Sequence, residues 1–136
     1  MTVVEVLVAA AILLFAATAL LSLAIGAMTA ARVAQERANV VNATASYMES
    51  IRGRRYSLIG TGSSGDPTGT VVATTTVAGA YKIEMTPTIK WVDDPAIPGT
   101  QDYKRVRVDA RAYLMGSGGE VMTYTVESIV SSAGAR

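Results

Sequence analysis

The segment VLVAAAILLFAATALLSLAIGAMTAA, residues 6–31, contains 26 residues and no charged side chain. All of them are apolar except Thr18, Ser22, Gly26 and Thr29. At ~1.5 Å of rise per residue, a helix of this length measures roughly 39 Å and exceeds the ~30 Å hydrocarbon core of a bilayer. The segment therefore predicts a membrane-spanning helix.

Two other kinds of apolar segment fit this stretch less well. A secretory signal peptide has a basic region followed by only about 7–15 apolar residues, whereas the one ionisable side chain before the segment is the acidic Glu5. A core helix of this length would need cover on all sides, and a chain of 136 residues leaves little to provide it.

The composition excludes most familiar site chemistry. The chain has no cysteine and no histidine, and its 12 basic and 11 acidic residues give a net charge of +1. Thiol nucleophiles, Ser-His-Asp triads, haem ligation, disulfides and zinc sites of Cys and His are thereby excluded. With no recognisable acid–base pair, the sequence predicts a protein that is not an enzyme and uses no cofactor. Its charge balance favours no nucleic-acid partner.

Glu5 lies at the edge of the apolar segment, where a carboxylate is costly. Insertion into hydrocarbon costs about 2.5–3.5 kcal/mol, and such residues are usually paired. No Lys or Arg precedes Arg32, so the cation available nearby is the α-amino group of Met1. If that amine belongs to another copy, each subunit provides an amine to one neighbour and a carboxylate to another, and an open-ended polymer results. The alternative is a carboxylate in the headgroup region that favours the helix N-terminus and needs no partner.

The N-terminus resembles that of the type IV pilin and pseudopilin family, most closely in the stretch TVVEVLVAAAIL, residues 2–13. In that family a prepilin peptidase removes a short basic leader and methylates the new N-terminal residue. The processed chain then begins with an aromatic residue or Met, followed by Thr, two aliphatic residues and a glutamate. Glu5 matches that glutamate, and Met1 stands at the processed position.

The resemblance implies a structural subunit of a type IV pilus or related filament. Such a chain would reside in the inner (cytoplasmic) membrane and then be extracted into a helical homopolymer on the cell surface, with Met1 and Glu5 as the assembly pair. Met1 would also be the site of processing and methylation. The implied partners are other pilin copies, the lipid bilayer, the prepilin peptidase and the assembly machinery. Adhesion and motility would be roles of the whole filament.

Two alternatives stay open at this point. A minor pilin, or a pseudopilin of a type II secretion or competence system, would share the same N-terminus. A bitopic, membrane-anchored binding domain would share the helix but not the polymer. An unmethylated Met1 in a chain made without a basic leader would indicate the anchor.

The helix is expected to continue beyond the apolar segment. No proline occurs from Ala27 to Ile51, and small or apolar residues recur with a period close to 3.6: Ala30, Ala34, Ala38, Val41, Ala45 and Met48. This pattern predicts a single helix of roughly 50 residues whose second half packs a stripe on a sheet. The arginines around Gly53 suit its C-terminal end: Arg52, Arg54 and Arg55.

Small side chains recur every four residues within the apolar segment, at Thr18, Ser22, Gly26 and Ala30. Such a ridge lets helix backbones approach closely, so it predicts a helix–helix packing face. Glycine and hydroxyl side chains also weaken a helix. We therefore expect local unwinding within residues 16–26 in the assembled state.

The remainder of the chain has the pattern of an antiparallel sheet. A Gly-rich stretch, Gly60–Gly69, predicts an exposed connection. Period-2 alternation then predicts a short strand at 71–77 and longer ones at 81–91, 105–114 and 121–130, with Met115–Glu120 as a hairpin loop. Pro87 is expected at an edge or bulge. The predicted fold class is α+β, with the long helix packed on a three- to four-stranded, pilin-like sheet.

This organisation divides the chain into an apolar polymerisation helix (1–31), its amphipathic continuation (27–56) and a β-sheet head (57–136). One loop of the head is rich in carboxylates, at Asp93, Asp94 and Asp102. Oxygen-rich loops can hold calcium, but EF-hand spacing is absent here. A solvated connection is favoured over a metal site.

Overall fold

A single long helix, α1 (Val3–Arg52), forms the first part of the structure, which is a computed structural model. The structure describes residues 2–62, 65–92, 103–116 and 118–132. A short 3-10 turn follows at Tyr56–Leu58, and then the strands β1 (Thr74–Ala78), β2 (Tyr81–Val92), β3 (Tyr103–Leu114) and β4 (Glu120–Ser131). The predicted α+β class, a long helix on an antiparallel sheet, is confirmed.

The chain divides into two compact units, residues 1–37 and 38–136. The first contains the N-terminal part of α1, and the second, called the head unit below, contains the rest of α1 and the sheet. The helix ends where the cluster of arginines predicts. The Gly53 amide donates to the carbonyl of Glu49 at 2.9 Å, and the Arg54 amide donates to that of Ile51 at 3.1 Å.

The four strands form one antiparallel meander in the order β1-β2-β3-β4. β1 is short and pairs with β2 only as far as Met85, opposite Thr74. Beyond Met85 the side of β2 that faced β1 has no strand partner among the described residues. Pro87 lies in this part of β2, so its predicted edge position is confirmed. An edge is where proline is tolerated, because it has no amide hydrogen to donate.

The inner face of the sheet carries the alternating apolar residues that the sequence predicted. On β2 and β3 the buried members are Tyr81, Ile83, Met85, Ile89, Val106, Val108, Ala110 and Ala112. The corresponding row of β4 is half-buried against them. The intervening side chains of β3 and β4 face solvent, where Arg105 and Glu127 form an exposed ion pair at 3.1 Å. The period-2 pattern thus predicted the faces of these strands correctly.

The face of α1 that packs on the sheet differs from the predicted stripe. Its buried residues are Val40, Thr44, Met48 and Ile51, with Tyr47 half-buried beside them. Of the predicted stripe only Met48 is buried, and the others are exposed or half-buried: Ala30, Ala34, Ala38, Val41 and Ala45. Larger side chains remove more apolar surface from water, so they, and not the alanines, decide which face packs.

Among the described residues of the stretch Gly60–Gly69, predicted as an exposed connection, Gly62, Gly65 and Thr68 are exposed, whereas Gly60 and Pro67 are buried. Pro67 is fully buried within it, and Ile59 and Val71 are buried on either side. The Thr70 amide donates to the Leu58 carbonyl at 3.0 Å, which closes the base of the loop. A glycine-rich sequence is typical of a flexible loop and also of a segment whose backbone packs closely against another. The composition alone does not distinguish these two cases.

Tyr47 of α1 and Arg54, which lies just after the helix, bind the residues that directly follow this loop. The Tyr47 hydroxyl donates to the carbonyl of Val72. Arg54 donates from Nη1 to the carbonyl of Thr70 at 3.1 Å, so this arginine binds the loop as well as ending the helix. Burial raises the pKa of Tyr47 above its ordinary value of 10.0, and the nearby Arg54 charge partly opposes that shift.

Lys104, on the inner face of β3, is the buried cation of the head unit and is only 2% exposed. Its Nζ donates to the carbonyls of Tyr56 and Ile59, each at 2.7 Å. The same ammonium lies 4.3 Å from the ring centroid of Tyr56 and 5.0 Å from that of Trp91. These contacts pin the end of the helical region to the sheet. Desolvation by burial lowers the pKa of Lys104 from its ordinary 10.5.

Replacing Lys104 by methionine is expected to destabilise the head unit by about 1–3 kcal/mol, because the buried Ile59 carbonyl loses this donor and the Tyr56 carbonyl keeps only the Ile59 amide. In the native chain the unfolded state binds more protons than the folded state between the lowered pKa and 10.5, so stability rises with pH across that interval. Lys104→Met should abolish this rise. Urea unfolding followed by Trp91 fluorescence at several pH values measures both effects.

The exposed Lys90 supplies the matched control, since Lys90→Met should leave both the stability and its pH profile unchanged. Tyr47 has the opposite effect on stability above pH 10.0, because its pKa is higher in the folded state than in the unfolded state. In that range the folded state binds more protons, so stability falls as the pH rises. The measurement is therefore made below that pH. A variant as stable as the native chain would show that Lys104 does not hold this region in place.

Candidate functional site: the exposed apolar helix

The N-terminal part of α1 exposes an unusual amount of apolar surface. Every described side chain from Thr2 to Gln35 is exposed, and Phe15 shows 83% of its surface. The most apolar window of the helix has a mean hydropathy of 2.7, and none of it is buried by the rest of the chain. By length and composition this helix can cross a membrane. Water is a poor environment for such a surface, so lipid or other protein must cover it.

Glu5 lies in the first turn of α1 and interacts with the backbone of its own chain. The Thr2 amide donates to Oε2 of Glu5 at 3.4 Å, and the Glu5 amide donates to the Thr2 carbonyl at 3.0 Å. The pattern Thr-x-x-Glu at residues 2–5 has the spacing of a capping box, in which the acid accepts from the N-cap amide. The Thr-x-x-Glu spacing indicates this capping role from the sequence, in addition to the predicted ion pair of Glu5.

The capping contact leaves most of the carboxylate available. An ionised carboxylate has about four acceptor positions, and the long bond to Thr2 uses one of them weakly. The side chain lies in an open groove with Val4, Val8 and Ile12, so its surroundings are apolar. A charge at this position retains a strong preference for an additional donor when water is removed. Met1, the predicted partner, lies outside the described residues.

The small residues of the predicted packing face lie on one side of the exposed helix. Thr18 and Ser22 donate from their hydroxyls to carbonyls three residues earlier, those of Phe15 and Ala19, each at 2.9 Å. These polar groups are therefore satisfied within the helix. Gly26 and Ala30 line a shallow groove further along, and Ala34 extends it by one more turn.

The helix is continuous through residues 16–26 in this single chain. The expected unwinding concerns the assembled state, so it stays a prediction. Apart from the nearby backbone of the helix itself and the two neighbouring residues, no heavy atom lies within 4 Å of the position that a Cβ of Gly26 would occupy. The space beside this glycine is thus open to a neighbouring helix.

Charged residues appear directly after the apolar segment. Arg32 donates from Nε to Glu36 at 3.0 Å in an exposed i,i+4 pair. Exposed pairs of this type contribute only about 0.3–0.5 kcal/mol to helix stability. This pair matters mainly for its position, because it lies directly after the uncharged segment that ends at residue 31.

The remaining candidate site is the carboxylate-rich loop. Asp93, Asp94 and Asp102 all lie outside the described residues. Within the described ranges, no group of three or more acidic side chains is positioned to hold a metal ion. Tyr103 and Trp91, on either side of that loop, are half-buried at the ends of β3 and β2.

Comparison of the chain with protein-family models, with curated proteins and with solved structures finds no match.

Proposed function

We propose that this chain is a structural subunit of a type IV pilus or a closely related filament, held in a membrane by α1 until it is polymerised. The observation that carries the proposal is the exposed apolar part of α1, which has a single carboxylate, Glu5, in its first turn. In an anchor the acid would serve only as a helix cap, while it raises the cost of insertion into lipid. In a polymer of helices that acid can form an ion pair with the amine of a neighbouring copy.

The proposed assembly reaction transfers α1 from lipid into a bundle of identical helices. Lipid tails are as apolar as the helix, so association depends on close packing and on polar contacts rather than on removal of apolar surface from water. The small-residue face supplies close packing at Gly26 and Ala30. Glu5 supplies the polar contact, because its carboxylate accepts from the Met1 amine of a neighbouring copy.

The intramolecular cap prepares Glu5 for this exchange. Before assembly, the Thr2 amide offers the carboxylate a weak local donor at 3.4 Å. In the filament the neighbouring ammonium offers a charge-assisted bond, which is roughly twice as strong as a neutral one. The gain is largest in a dry bundle, since the low dielectric strengthens the attraction between the two charges.

Within the filament the head units would lie on the surface, because their outer sheet face is charged. The exposed pairs Lys82–Glu84 and Arg107–Asp109 lie on this face at 2.7 and 3.0 Å. Before assembly the inner membrane would hold the chain, and the filament would be extracellular. Processing by a prepilin peptidase and extraction by an assembly machine belong to the same proposal.

A second candidate is a membrane-anchored binding domain, and one observation favours it. The contact between Glu5 and Thr2 lies within one chain, so the acid has a role that needs no neighbour. A minor pilin or pseudopilin would share the assembly chemistry of the main proposal and differ in its abundance in the filament.

Mechanical shearing of cells that produce the chain, followed by N-terminal mass spectrometry, tests the proposal. We expect the chain in the sheared surface filaments, beginning at a methylated Met1. If the chain is the most abundant protein of the filaments, it is the major subunit. If it is present only in trace amounts, it is a minor subunit. Recovery only from the membrane fraction, with an unmethylated N-terminus, would favour the anchor and overturn the filament proposal.

A further inference from the structure

Two turns of the head unit lie together at one end of the sheet, called the hairpin end below. Gly79 and Ala80 form the turn between β1 and β2, and Met115 and Gly116 form the turn that follows β3. The Met115 amide donates to the carbonyl of Ala80 at 2.9 Å, so the two turns are in contact. Their side chains therefore belong to one surface.

The hairpin end lies beside the first residues of α1 that belong to the head unit. A Cβ at Gly79 would lie 3.8 Å from Nδ2 of Asn39. At the opposite end of the sheet, Lys104 donates to the carbonyl of Tyr56. The head unit begins at residue 38, seven residues after Ala31, the last residue of the uncharged segment. Seven residues span at most ~25 Å, so the chain tethers the hairpin end to any membrane that the uncharged segment crosses.

The hairpin end exposes several large apolar side chains. Val77 shows 60% of its surface, Met115 and Val121 show 54% each, and Leu114 shows 37%. Val77, Leu114 and Met115 line one open groove together with the half-buried Tyr113. Apolar side chains beside a tyrosine are typical of the interfacial region of a membrane, where the ring contacts apolar groups and the hydroxyl contacts water.

The charged side chains of this groove form a neutral pair. Lys82 and Glu84 both line the groove, and Nζ of the lysine lies 2.7 Å from Oε1 of the glutamate. Recognition of anionic lipids depends on clusters of basic side chains, which this groove does not provide. Its chemistry therefore suits a zwitterionic lipid surface, which it would contact through apolar groups.

We propose that the hairpin end inserts its apolar side chains into the headgroup region of the membrane that α1 crosses. The head unit would thus lie against lipid before assembly. This inference rests on the membrane location that the proposed function gives to α1, and it does not depend on polymerisation. Burial of apolar surface stabilises interfacial binding. The tether formed by residues 32–37 raises the local concentration of lipid, so a small apolar patch is sufficient.

A fluorophore on a single cysteine tests this contact, because the chain has no cysteine of its own. The label is nitrobenzoxadiazole, whose emission is bright in lipid and weak in water. The full chain carrying Val77→Cys is labelled and reconstituted in phosphatidylcholine vesicles, with and without a lipid that bears a quenching spin label near its headgroup. We expect bright emission without the quenching lipid and loss of most of that emission with it.

Ile129→Cys is the matched control. Ile129 is also an outward-facing strand residue, and it is 57% exposed. Eight residues of β2, from Lys82 to Lys90, separate the registers of Val77 and Ile129. At ~3.3 Å per residue, Ile129 lies about 26 Å further along the sheet, beyond a headgroup region that is about 5–8 Å thick. The label at residue 129 should therefore emit weakly and should not be quenched by the spin-labelled lipid.

Met115→Asp tests whether the apolar side chains cause the contact. In the labelled Val77→Cys chain this substitution should abolish the quenching, because a carboxylate opposes insertion into the apolar layer. Ile129→Asp is its control and should leave the quenching unchanged. Both side chains are exposed, so neither variant should alter the unfolding transition followed by Trp91 fluorescence. Quenching that persists in the Met115→Asp chain would overturn the assignment of this contact to the apolar patch.

The remaining outcomes separate this inference from the proposed function. Equal quenching at residues 77 and 129, or quenching at neither in chains that float with the vesicles, would overturn the lipid contact alone. Bright emission at residue 77 that the spin-labelled lipid does not quench would assign the patch to a protein contact and would also overturn it. Chains that do not float with the vesicles would overturn both the lipid contact and the membrane location of α1.

Discussion

Replacing Glu5 by glutamine is expected to abolish filament assembly while the head unit remains folded. Glutamine keeps an oxygen that can accept from the Thr2 amide, and it is a normal residue at the corresponding position of a capping box. It carries no charge, so it cannot form an ion pair with the amine of a neighbouring chain. Counting sheared filaments by electron microscopy, alongside the amount of chain in the membrane, measures the effect.

Two further variants complete the comparison. Glu5→Lys should also prevent assembly, because it places two positive charges together where the native chain has a pair. Glu49→Gln is the matched control: Glu49 belongs to the same helix and pairs with Arg52 at 2.7 Å in an exposed position, so its loss should not reduce filament number. If Glu5→Gln assembles as well as the native chain, Glu5 acts only as a helix cap and the ion-pair mechanism is wrong.

The second large effect is expected at Gly60, where alanine should severely destabilise the head unit. A Cβ at this position would lie 2.5 Å from the carbonyl oxygen of Thr68, and Pro67 is also too close. These neighbours are backbone atoms and cannot move aside without opening the loop. We expect a loss of about 3 kcal/mol or more and a fall in melting temperature of roughly 15 °C. Trp91 fluorescence during heating reports the transition.

Gly69→Ala should behave similarly, since its Cβ would lie 2.5 Å from the carbonyl oxygen of Leu58. Gly26→Ala is the control, because nothing occupies the space beside Gly26 and this residue does not belong to the head unit. Melting temperatures of Gly60→Ala and native chains that agree within error would show that residues 60–69 are not packed as described.

The sheet could be predicted well because one physical rule determines it. Each long strand has one face in the core and one in water, so apolar and polar residues alternate along it. In β3 the alternation between Arg105, Val106, Arg107 and Val108 is enough to fix which side chains are buried. The glycines around residue 117 then fix the hairpin that follows.

The packing of α1 on the sheet was harder to predict, because a helix rich in alanine has several faces of similar hydrophobicity. The period alone selected a face centred on small residues. The contact that forms depends on which large side chains, such as Val40 and Ile51, meet the sheet. Which face of α1 packs therefore depends on the sheet as well as on the helix, so the sequence of the helix alone does not determine it.

Close contacts between backbone segments were not predictable from the sequence. Gly60 and Gly69 have the composition of a flexible loop, and only their positions in space show why a larger residue is excluded. Lys104 presents the same difficulty. It continues the apolar row of Val106 and Val108, although a lysine is rarely fully buried. The carbonyls of residues 56 and 59 compensate its burial, and these come from a distant part of the chain.

The candidate assembly site differs from these cases, because its decisive partner is another molecule. The sequence identifies Glu5 as an acid that needs a donor, and the single chain shows a weak one at Thr2. The donor that the neighbouring subunit would provide is absent from both the sequence pattern and the single chain. The sequence therefore predicts the chemical requirement, while the contact that satisfies it must be seen in the assembly.

Helical reconstruction of filaments sheared from cells that produce this chain is the decisive measurement. If α1 polymerises as proposed, apolar helices lie at the filament centre, with the Glu5 carboxylate within hydrogen-bonding distance of the amine of an adjacent subunit. The contradictory result is a chain that remains monomeric in the membrane, or a filament in which Glu5 contacts only Thr2 of its own helix.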